Sequence, residues 1–208
     1  MTSRLLLDRT GSSAAEFALV LPLLLIFLFG IIDAGRWMWT YNRAEKAAQE
    51  GTRFAIVTDP ISPGIGSSYV GVSGLTQGDA IPASAFGKIT CIGGGTVASP
   101  TASCSCATAP CPALGATSNT AFANIIERMR FFLPGLQPSN VTIEYSSSGL
   151  GYAGNPYGAD LSPLVTVKIG TPTPLQFKPT TTLLLATMNM PSLTTSLTAE
   201  DLIGSHSN

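Results

Sequence analysis

An uncharged apolar run from Phe17 to Ile32 dominates the N-terminal part of this 208-residue chain. The run alone is slightly shorter than the roughly 20 residues that cross a hydrocarbon core. Uncharged residues 12–15 precede it, and Trp37 and Trp39 follow it as amphipathic aromatics of the kind found at membrane interfaces. A helix from Phe17 to Trp37 would rise about 30 Å, the thickness of that core. The sequence therefore predicts a transmembrane helix.

The charges around this run predict its orientation. Arg4 and Arg9 precede it, and positively charged flanks tend to stay in the cytoplasm, although Asp8 and the later Arg36 weaken the asymmetry. An ordinary cleavable secretory signal also has a basic start and an apolar core. No small-x-small cleavage site closes this run, and its apolar stretch exceeds a usual signal core. We therefore favour a retained helix with a cytoplasmic N-terminus.

One carboxylate, Glu16, stands directly before the apolar run. A charged side chain costs roughly 2.5 to 3.5 kcal/mol at a bilayer centre, so such a residue usually has a partner. If the chain were cut after Gly11, the new amine of Ser12 would lie about one helical turn away, on the same chain or a neighbouring copy. At 4 Å such a pair gains about 4 kcal/mol before desolvation. We therefore interpret Glu16 as a subunit-assembly contact.

These residues also carry a family resemblance. The segment from Arg9 to Phe17, followed by Leu-Val-Leu-Pro-Leu-Leu-Leu after Ala18, resembles the prepilin signal of type IV-like pilins. From Glu16 through Arg36 and on to Arg53, the chain resembles the TadE-like minor pilins of tight-adherence pili, over about its first 55 residues. The resemblance implies that a prepilin peptidase cuts between Gly11 and Ser12. It also implies that Glu16, followed by Phe17, serves processing or assembly.

The same resemblance implies a location and partners. The expected protein is a single-pass component of the bacterial inner membrane, with a periplasmic C-terminal head, and it can also enter an extracellular pilus. Its expected partners are the prepilin peptidase, other pilin or pilus-assembly subunits, and inner-membrane lipid. We expect the chain to divide into a leader of residues 1–11, a transmembrane and extended helix of residues 12–56, and a head of residues 57–208.

After the apolar run, the sequence predicts one unbroken helix from about Ser13 to Phe54, because helix-favouring residues continue without proline. Small residues at three- and four-residue spacing form a stripe that lets another helix approach closely. This small-residue stripe consists of Ala44, Ala47, Ala48 and Gly51. Two interpretations stay open: self-association with another subunit, or packing beneath the chain's own head.

Composition argues against a nucleic-acid partner. Charged residues make up 11% of the chain, its formal net charge is −1, and no cluster of Lys or Arg matches a phosphate backbone. Gly, Pro, Ser and Thr are abundant instead, so uncharged polar groups must form much of the surface. The residues left after the membrane segment suit one exported domain.

The four cysteines all lie in a loop-rich region, residues 57–118. An even number of cysteines in an exported domain predicts two disulfides. A bond between Cys104 and Cys106 would close a strained ring, so we expect Cys91 to bond one of these and Cys111 the other. Zinc binding is the alternative, but the Cys-x-Cys-x4-Cys spacing is not that of a standard zinc knuckle. We expect no metal and no cofactor.

The remaining pattern predicts an α+β head in which a helix and a small antiparallel sheet occupy residues 119–208. Residues 59–120 read as irregular loops with short strands near 68–72 and 86–92. An amphipathic helix begins at Asn119, places apolar Phe122, Ile125, Ile126, Met129 and Leu133 on one face, and stops at Pro134-Gly135. Strands are expected at 141–145, 164–169 and 192–199, with a loop of residues 146–163 joining the first two, while 182–190 is ambiguous between strand and helix.

No motif predicts catalysis. Gly149, Gly151 and Gly154 satisfy G-x-G-x-x-G, but a turn follows them instead of the helix that a dinucleotide site needs. The single histidine, His206, stands two residues before the last residue, and the acidic residues form no visible acid–base pair. We therefore expect no enzyme. The functional alternative to a pilin is a membrane-tethered periplasmic module that binds a ligand or adheres to a surface.

Overall fold

The computed structural model describes residues 12–156, 158–180 and 186–202. Its described residues form two compact units. The first, here called the stem, holds the long helix up to Thr40 together with the described part of Gln176–Met188. The second, here called the head, holds Tyr41–Leu175 and the described residues from Asn189 onward.

The described chain contains two α-helices, seven strands and four short 3-10 helices. The α-helices are α1 (Ser12–Ala55) and α2 (Asn119–Phe132), and the 3-10 helices are Pro63–Gly66, Val72–Gly74, Ala83–Ala85 and Pro138–Asn140. The strands are β1 (Lys88–Gly95), β2 (Pro100–Thr108), β3 (Val141–Ser146), β4 (Leu164–Ile169), β5 (Gln176–Phe177), β6 (Met188–Asn189) and β7 (Leu193–Thr198).

Helix α1 is continuous through Pro22, which has no backbone N–H to donate. Its apolar half belongs to the stem, and its polar half, from Tyr41 to Ala55, belongs to the head. The composition of the two halves explains this division. Alanine, glutamate, lysine and arginine in the second half favour a helix that packs one face against a core and leaves the other in water.

The head is built on a five-stranded antiparallel sheet in the order β2-β1-β3-β4-β7. One face of this sheet carries the core, because successive residues of a strand point to opposite faces. Two rows of paired residues cross that face, namely Ile89, Tyr145 and Val165, and Cys91, Ile143 and Val167. All six side chains are fully buried.

Helix α2 contributes a complementary apolar face. The Ser118 hydroxyl caps its start by accepting a hydrogen bond from the Ala121 N–H at 3.2 Å. Its buried side chains, spaced as one helical face requires, are Phe122, Ile125, Ile126 and Met129. Gly93 of β1 allows a close approach, because a Cβ there would lie 2.5 Å from Cζ of Phe122. Each fully buried side chain of this kind stabilises the folded state by about 1.5–3 kcal/mol.

The predicted α+β class is confirmed, with a long N-terminal helix, a second helix, an antiparallel sheet and two disulfides. Helix α1 extends one residue beyond its expected limits at each end. Helix α2 begins where predicted, and strands β3, β4 and β7 lie within one residue of their expected bounds. The segment after β3 joins it to β4 as an antiparallel pair, as expected.

Two expectations for the loop-rich region were wrong. Residues 68–72 form no strand, because the Tyr69 N–H donates to the Asp160 carboxylate and Gly71 adopts a left-handed conformation with φ +85°. Residues 100–108, expected to be irregular, form β2, which pairs with β1 along its length. In the ambiguous segment 182–190, residues 182–185 lie outside the described residues, and Met188–Asn189 form β6.

Candidate functional site

The apolar half of α1 exposes nearly all of its large side chains. Phe17 is 63% exposed, Leu19 80% and Leu23 72%, and the exposed series continues to Ile32. Among the described residues, one helix is long and apolar enough to cross a membrane, and it is α1. A soluble fold buries such a surface, so its exposure fits a helix that lies in lipid or against other subunits.

The expected processing and assembly residues lie at the start of this helix. Gly11 lies outside the described residues, while Ser12 is the first residue of α1. Glu16 and Phe17 follow within two turns, and both are exposed. Four residues of helix separate Ser12 from Glu16, a rise of about 6 Å that places both on one face.

A polar cluster that the sequence did not predict lies at the other end of the apolar run. The Asp33 carboxylate, 5% exposed, accepts hydrogen bonds from the Thr180 N–H at 2.8 and 3.0 Å and from Arg36 Nη1 at 3.0 Å. Arg36 also donates to the Thr180 hydroxyl and lies 5.6 Å from the ring centroid of Phe177. The segment 176–180 therefore covers the first charge after the apolar run. The Asp33 charge, directly after the apolar run, was the only feature of the sequence that pointed to this polar cluster.

The small-residue stripe lies inside the head. Ala44 and Ala47 are fully buried, and Ala48 is 1% exposed. A Cβ at Gly51 would lie 2.6 Å from Cγ and 2.8 Å from Sδ of Met129, so the missing side chain makes room for α2. Of the two interpretations left open by the sequence, this burial favours packing beneath the chain's own head.

A charged side chain of α1, Glu50, links the second half of this helix to α2. Glu50 of α1 lies 2.7 Å from Lys46, 3.5 Å from Arg128 of α2 and 3.8 Å from Arg53. The hydrogen bond from Lys46 lowers the pKa of Glu50, and the positive charges of Arg53 and Arg128 add to this effect while desolvation opposes it. The Glu50 carboxylate therefore bridges the two helices. The i, i+4 spacing of Lys46 and Glu50 suits an ion pair within one helix, whereas the contact across to α2 has no sequence pattern.

The four cysteines form two disulfides. Cys91 bonds Cys104 across the β1–β2 pair, and Cys106 bonds Cys111. We call these the cross-strand disulfide and the loop disulfide. This pairing is one of the two that the spacing left open. All four sulfurs are used in these bonds, so none is available as a zinc-binding thiolate.

The glycine motif after β3 belongs to a loop organised by a buried carboxylate. Asp160, 4% exposed, accepts hydrogen bonds from the N–H groups of Tyr69, Gly154 and Asn155 and from the Ser68 hydroxyl. Burial alone would raise the pKa of Asp160, but these hydrogen bonds stabilise the charged form and lower it.

The same loop explains why the G-x-G-x-x-G spacing does not form a phosphate site. Gly151 and Gly154 both adopt positive φ, and a Cβ at Gly151 would lie 2.4 Å from the carbonyl oxygen of Asp160. These glycines therefore permit a tight turn. Nearby, desolvation and the negative charge of Asp160 raise the pKa of Tyr69 to about 12, so its hydroxyl stays protonated at neutral pH.

Glu144 is engaged in structural ion pairs on the face of the sheet opposite the core rows. Its carboxylate lies 2.7 Å from Lys168 and 3.7 Å from Lys88. Within the described parts of the chain, no group of three His, Cys, Asp or Glu residues is arranged to hold a metal ion. His206 lies outside the described residues.

Residues 11–53 match the family model described as TadE-like protein. No curated protein and no solved structure shows significant similarity to the chain. The match covers the exposed apolar half of α1, the Asp33 and Arg36 positions and the whole small-residue stripe. TadE-like pilus proteins are structural proteins, not enzymes. Residues 11–53 are therefore similar to TadE-like proteins, and this match supports a protein associated with the tight-adherence pilus.

Proposed function

We propose that this chain is a minor-pilin-like subunit of a tight-adherence pilus, and that its activity is association through α1. The carrying observation is that the family match and the exposed apolar surface fall on the same helix. The match spans residues 11–53, and the large apolar side chains of α1 from Phe17 to Ile32 are exposed within it.

In this proposal, a prepilin peptidase removes residues 1–11 by cutting after Gly11. The cut creates an α-amine on Ser12, which is largely charged near neutral pH because its usual pKa is about 7.7–8.0. Helix α1 then holds the protein as a single-pass component of the inner membrane, with its N-terminus in the cytoplasm and residues 57–208, which include most of the head, in the periplasm. The two disulfides support an oxidising compartment for that head.

Assembly would combine apolar burial with one charge pair. The exposed side chains from Phe17 to Ile32 exchange lipid for the helices of other pilin subunits. The Glu16 carboxylate pairs with the Ser12 amine, most usefully that of a neighbouring subunit. In a low-dielectric surrounding an unpaired carboxylate is costly, so the pair also sets the register between subunits.

The test replaces Glu16 with alanine and counts assembled pili on cells that carry the variant at normal level. Glu45→Ala is the matched control, because Glu45 is an exposed glutamate on the same helix beyond the apolar run. We expect Glu16→Ala to insert in the membrane normally but to lose piliation, and Glu45→Ala to retain it. Normal piliation in the Glu16 variant would overturn the charge-pair mechanism.

A further inference from the structure

An amphiphilic patch lies where α2 ends against α1 in the head. Phe131, the penultimate residue of α2, exposes 78% of its surface. Its ring packs edge-on against Phe132, with centroids 5.2 Å apart and planes at 76°. Single exposed apolar side chains are common on protein surfaces, so the charged groups around this ring decide whether it marks a contact surface.

The groups around this aromatic pair are cationic. Lys46 Nζ lies 5.8 Å from the ring centroid of Phe132, and Arg43 Nε donates to the Phe132 carbonyl at 2.8 Å. Arg130 Nη1 donates to the Leu136 carbonyl at 2.7 Å. Each arginine is thus held in place by one bond, while a guanidinium carries five N–H donors and suits phosphate oxygens. We call Arg43, Lys46, Arg130, Phe131 and Phe132 the corner patch.

Positive charge is concentrated on these two helices although the chain as a whole is slightly acidic. The formal net charge of the protein is −1. Within α2 and the stretch of α1 from Arg43 to Arg53, the basic residues are Arg43, Lys46, Arg53, Arg128 and Arg130, and the acidic residues are Glu45, Glu50 and Glu127. Basic residues outnumber acidic ones here, and Glu50 is already engaged by three of them.

Chain connectivity places Arg43 near the end of the predicted membrane span. Arg43 follows Trp37, the expected end of that span, by six residues of the same helix, a rise of about 9 Å. The headgroup region adds roughly 5–7 Å on each side of the hydrocarbon core, so Arg43 stands at its outer edge, within reach of a long side chain. Because Arg43 bonds the Phe132 carbonyl, the aromatic pair lies beside Arg43.

We propose that the corner patch binds anionic phospholipid headgroups of the membrane that α1 crosses. The cations contact the headgroup phosphates, and the Phe131 ring enters the interface, where aromatic side chains are favoured. Each Lys or Arg near an anionic surface strengthens binding by about fivefold. The contact anchors the head beside its own helix. This inference rests on the membrane placement of α1 in the proposed function.

The test places a single tryptophan at chosen sites in the full-length protein, reconstituted in vesicles that contain brominated phosphatidylcholine as a quencher. A Trp37→Phe variant keeps Trp39 as the reporter for α1. A second variant adds Trp39→Phe and Phe131→Trp to this background, so that its single tryptophan reports on the corner patch. A third adds Trp39→Phe and Tyr152→Trp, so that its single tryptophan reports on a control site. Tyr152 is 64% exposed and follows the far end of β3, whereas α2 leads into the start of that strand.

We expect quenching at positions 39 and 131 and none at position 152, and we expect quenching at 131 to fall when phosphatidylglycerol is omitted from the vesicles. Quenching at 39 without quenching at 131 would overturn this inference and leave the membrane helix intact. No quenching at 39 would overturn the membrane placement itself. Quenching at 131 that ignores phosphatidylglycerol would overturn the headgroup contact. A signal at 131 that follows the protein-to-lipid ratio would indicate a second copy as the partner instead.

Discussion

Replacing Asp160 with asparagine should destabilise the head by removing one charge while keeping the shape of the side chain. One carboxylate oxygen of Asp160 accepts from the Tyr69 N–H at 2.6 Å, the Gly154 N–H at 2.8 Å and the Ser68 hydroxyl at 3.0 Å. The other oxygen accepts from the Asn155 N–H at 2.8 Å. These bonds join segments up to 92 residues apart in sequence.

The expected cost follows from these four bonds. Hydrogen bonds to a charged group contribute about 1.5–3 kcal/mol each, and neutral ones about 0.5–1.5 kcal/mol, so three retained bonds lose about 1 kcal/mol each. The asparagine NH2 group would face the Asn155 N–H, which leaves that donor without an acceptor. With about 3 kcal/mol lost from the three retained bonds and about 1–3 kcal/mol from the unsatisfied donor, we expect the free energy of unfolding to fall by about 4–6 kcal/mol in all.

The effect should depend on pH with a defined sign. The pKa of Asp160 is lowered in the folded protein, so its contribution is fully present above its unfolded value near 3.9. That contribution is lost as the pH falls through the lowered folded pKa. The difference in the free energy of unfolding between the wild-type protein and the asparagine variant should therefore disappear in this acidic range.

The assay is urea unfolding of the full-length protein in detergent micelles at neutral and acidic pH, together with hydrogen exchange of the Tyr69 and Asn155 amides. Asp79→Asn is the matched control, because Asp79 is an exposed carboxylate that accepts two hydrogen bonds from Thr76. We expect the control to change the free energy of unfolding little. Equal stability of wild type and Asp160→Asn at neutral pH, or a difference that persists in acid, would refute the reasoning.

Two further predictions concern the packing of the head. Gly51→Leu should force Met129 out of place and lower the free energy of unfolding by about 1–3 kcal/mol or more, whereas Gly35→Leu, which meets no atom within 4 Å, should leave thermal unfolding of the head unchanged. Replacing both cysteines of the cross-strand disulfide by serine should lower the free energy of unfolding by about 3 kcal/mol, and the same change at the loop disulfide should lower it by about 2 kcal/mol. The first disulfide contributes more because it closes the longer loop, with a sequence separation of 13 against 5. Equal losses from the two double variants in urea unfolding would contradict the loop-length argument.

Periodicity alone predicted the elements that have one clear apolar face. The spacing of Phe122, Ile125 and Met129 is that of a helix, and alternation in β3 and β4 is that of strands buried on one side. Strand β2 carries no such pattern, because it lies at the edge of the sheet and is composed of small residues, most of which are exposed. Its strand structure depends on pairing with β1, a contact that composition does not reveal.

The contacts that organise the molecule over long distances were also beyond the sequence. Asp160 could not be assigned to Tyr69, nor Asp33 to Thr180, because hydrogen bonds to backbone N–H groups leave no residue pattern. Near the N-terminus the reverse holds. The role expected of Glu16 rests on its spacing from Ser12 along one helix. The candidate assembly residues could therefore be named from the sequence alone.

The most direct test of the proposed function is the mass of the mature protein's N-terminal peptide, measured by mass spectrometry on protein isolated from cells that make the pilus. Cleavage by a prepilin peptidase predicts a chain that begins at Ser12, with the first eleven residues absent. A mature chain that still carries Met1 through Gly11 would contradict processing and would favour a membrane-tethered binding or adhesive module.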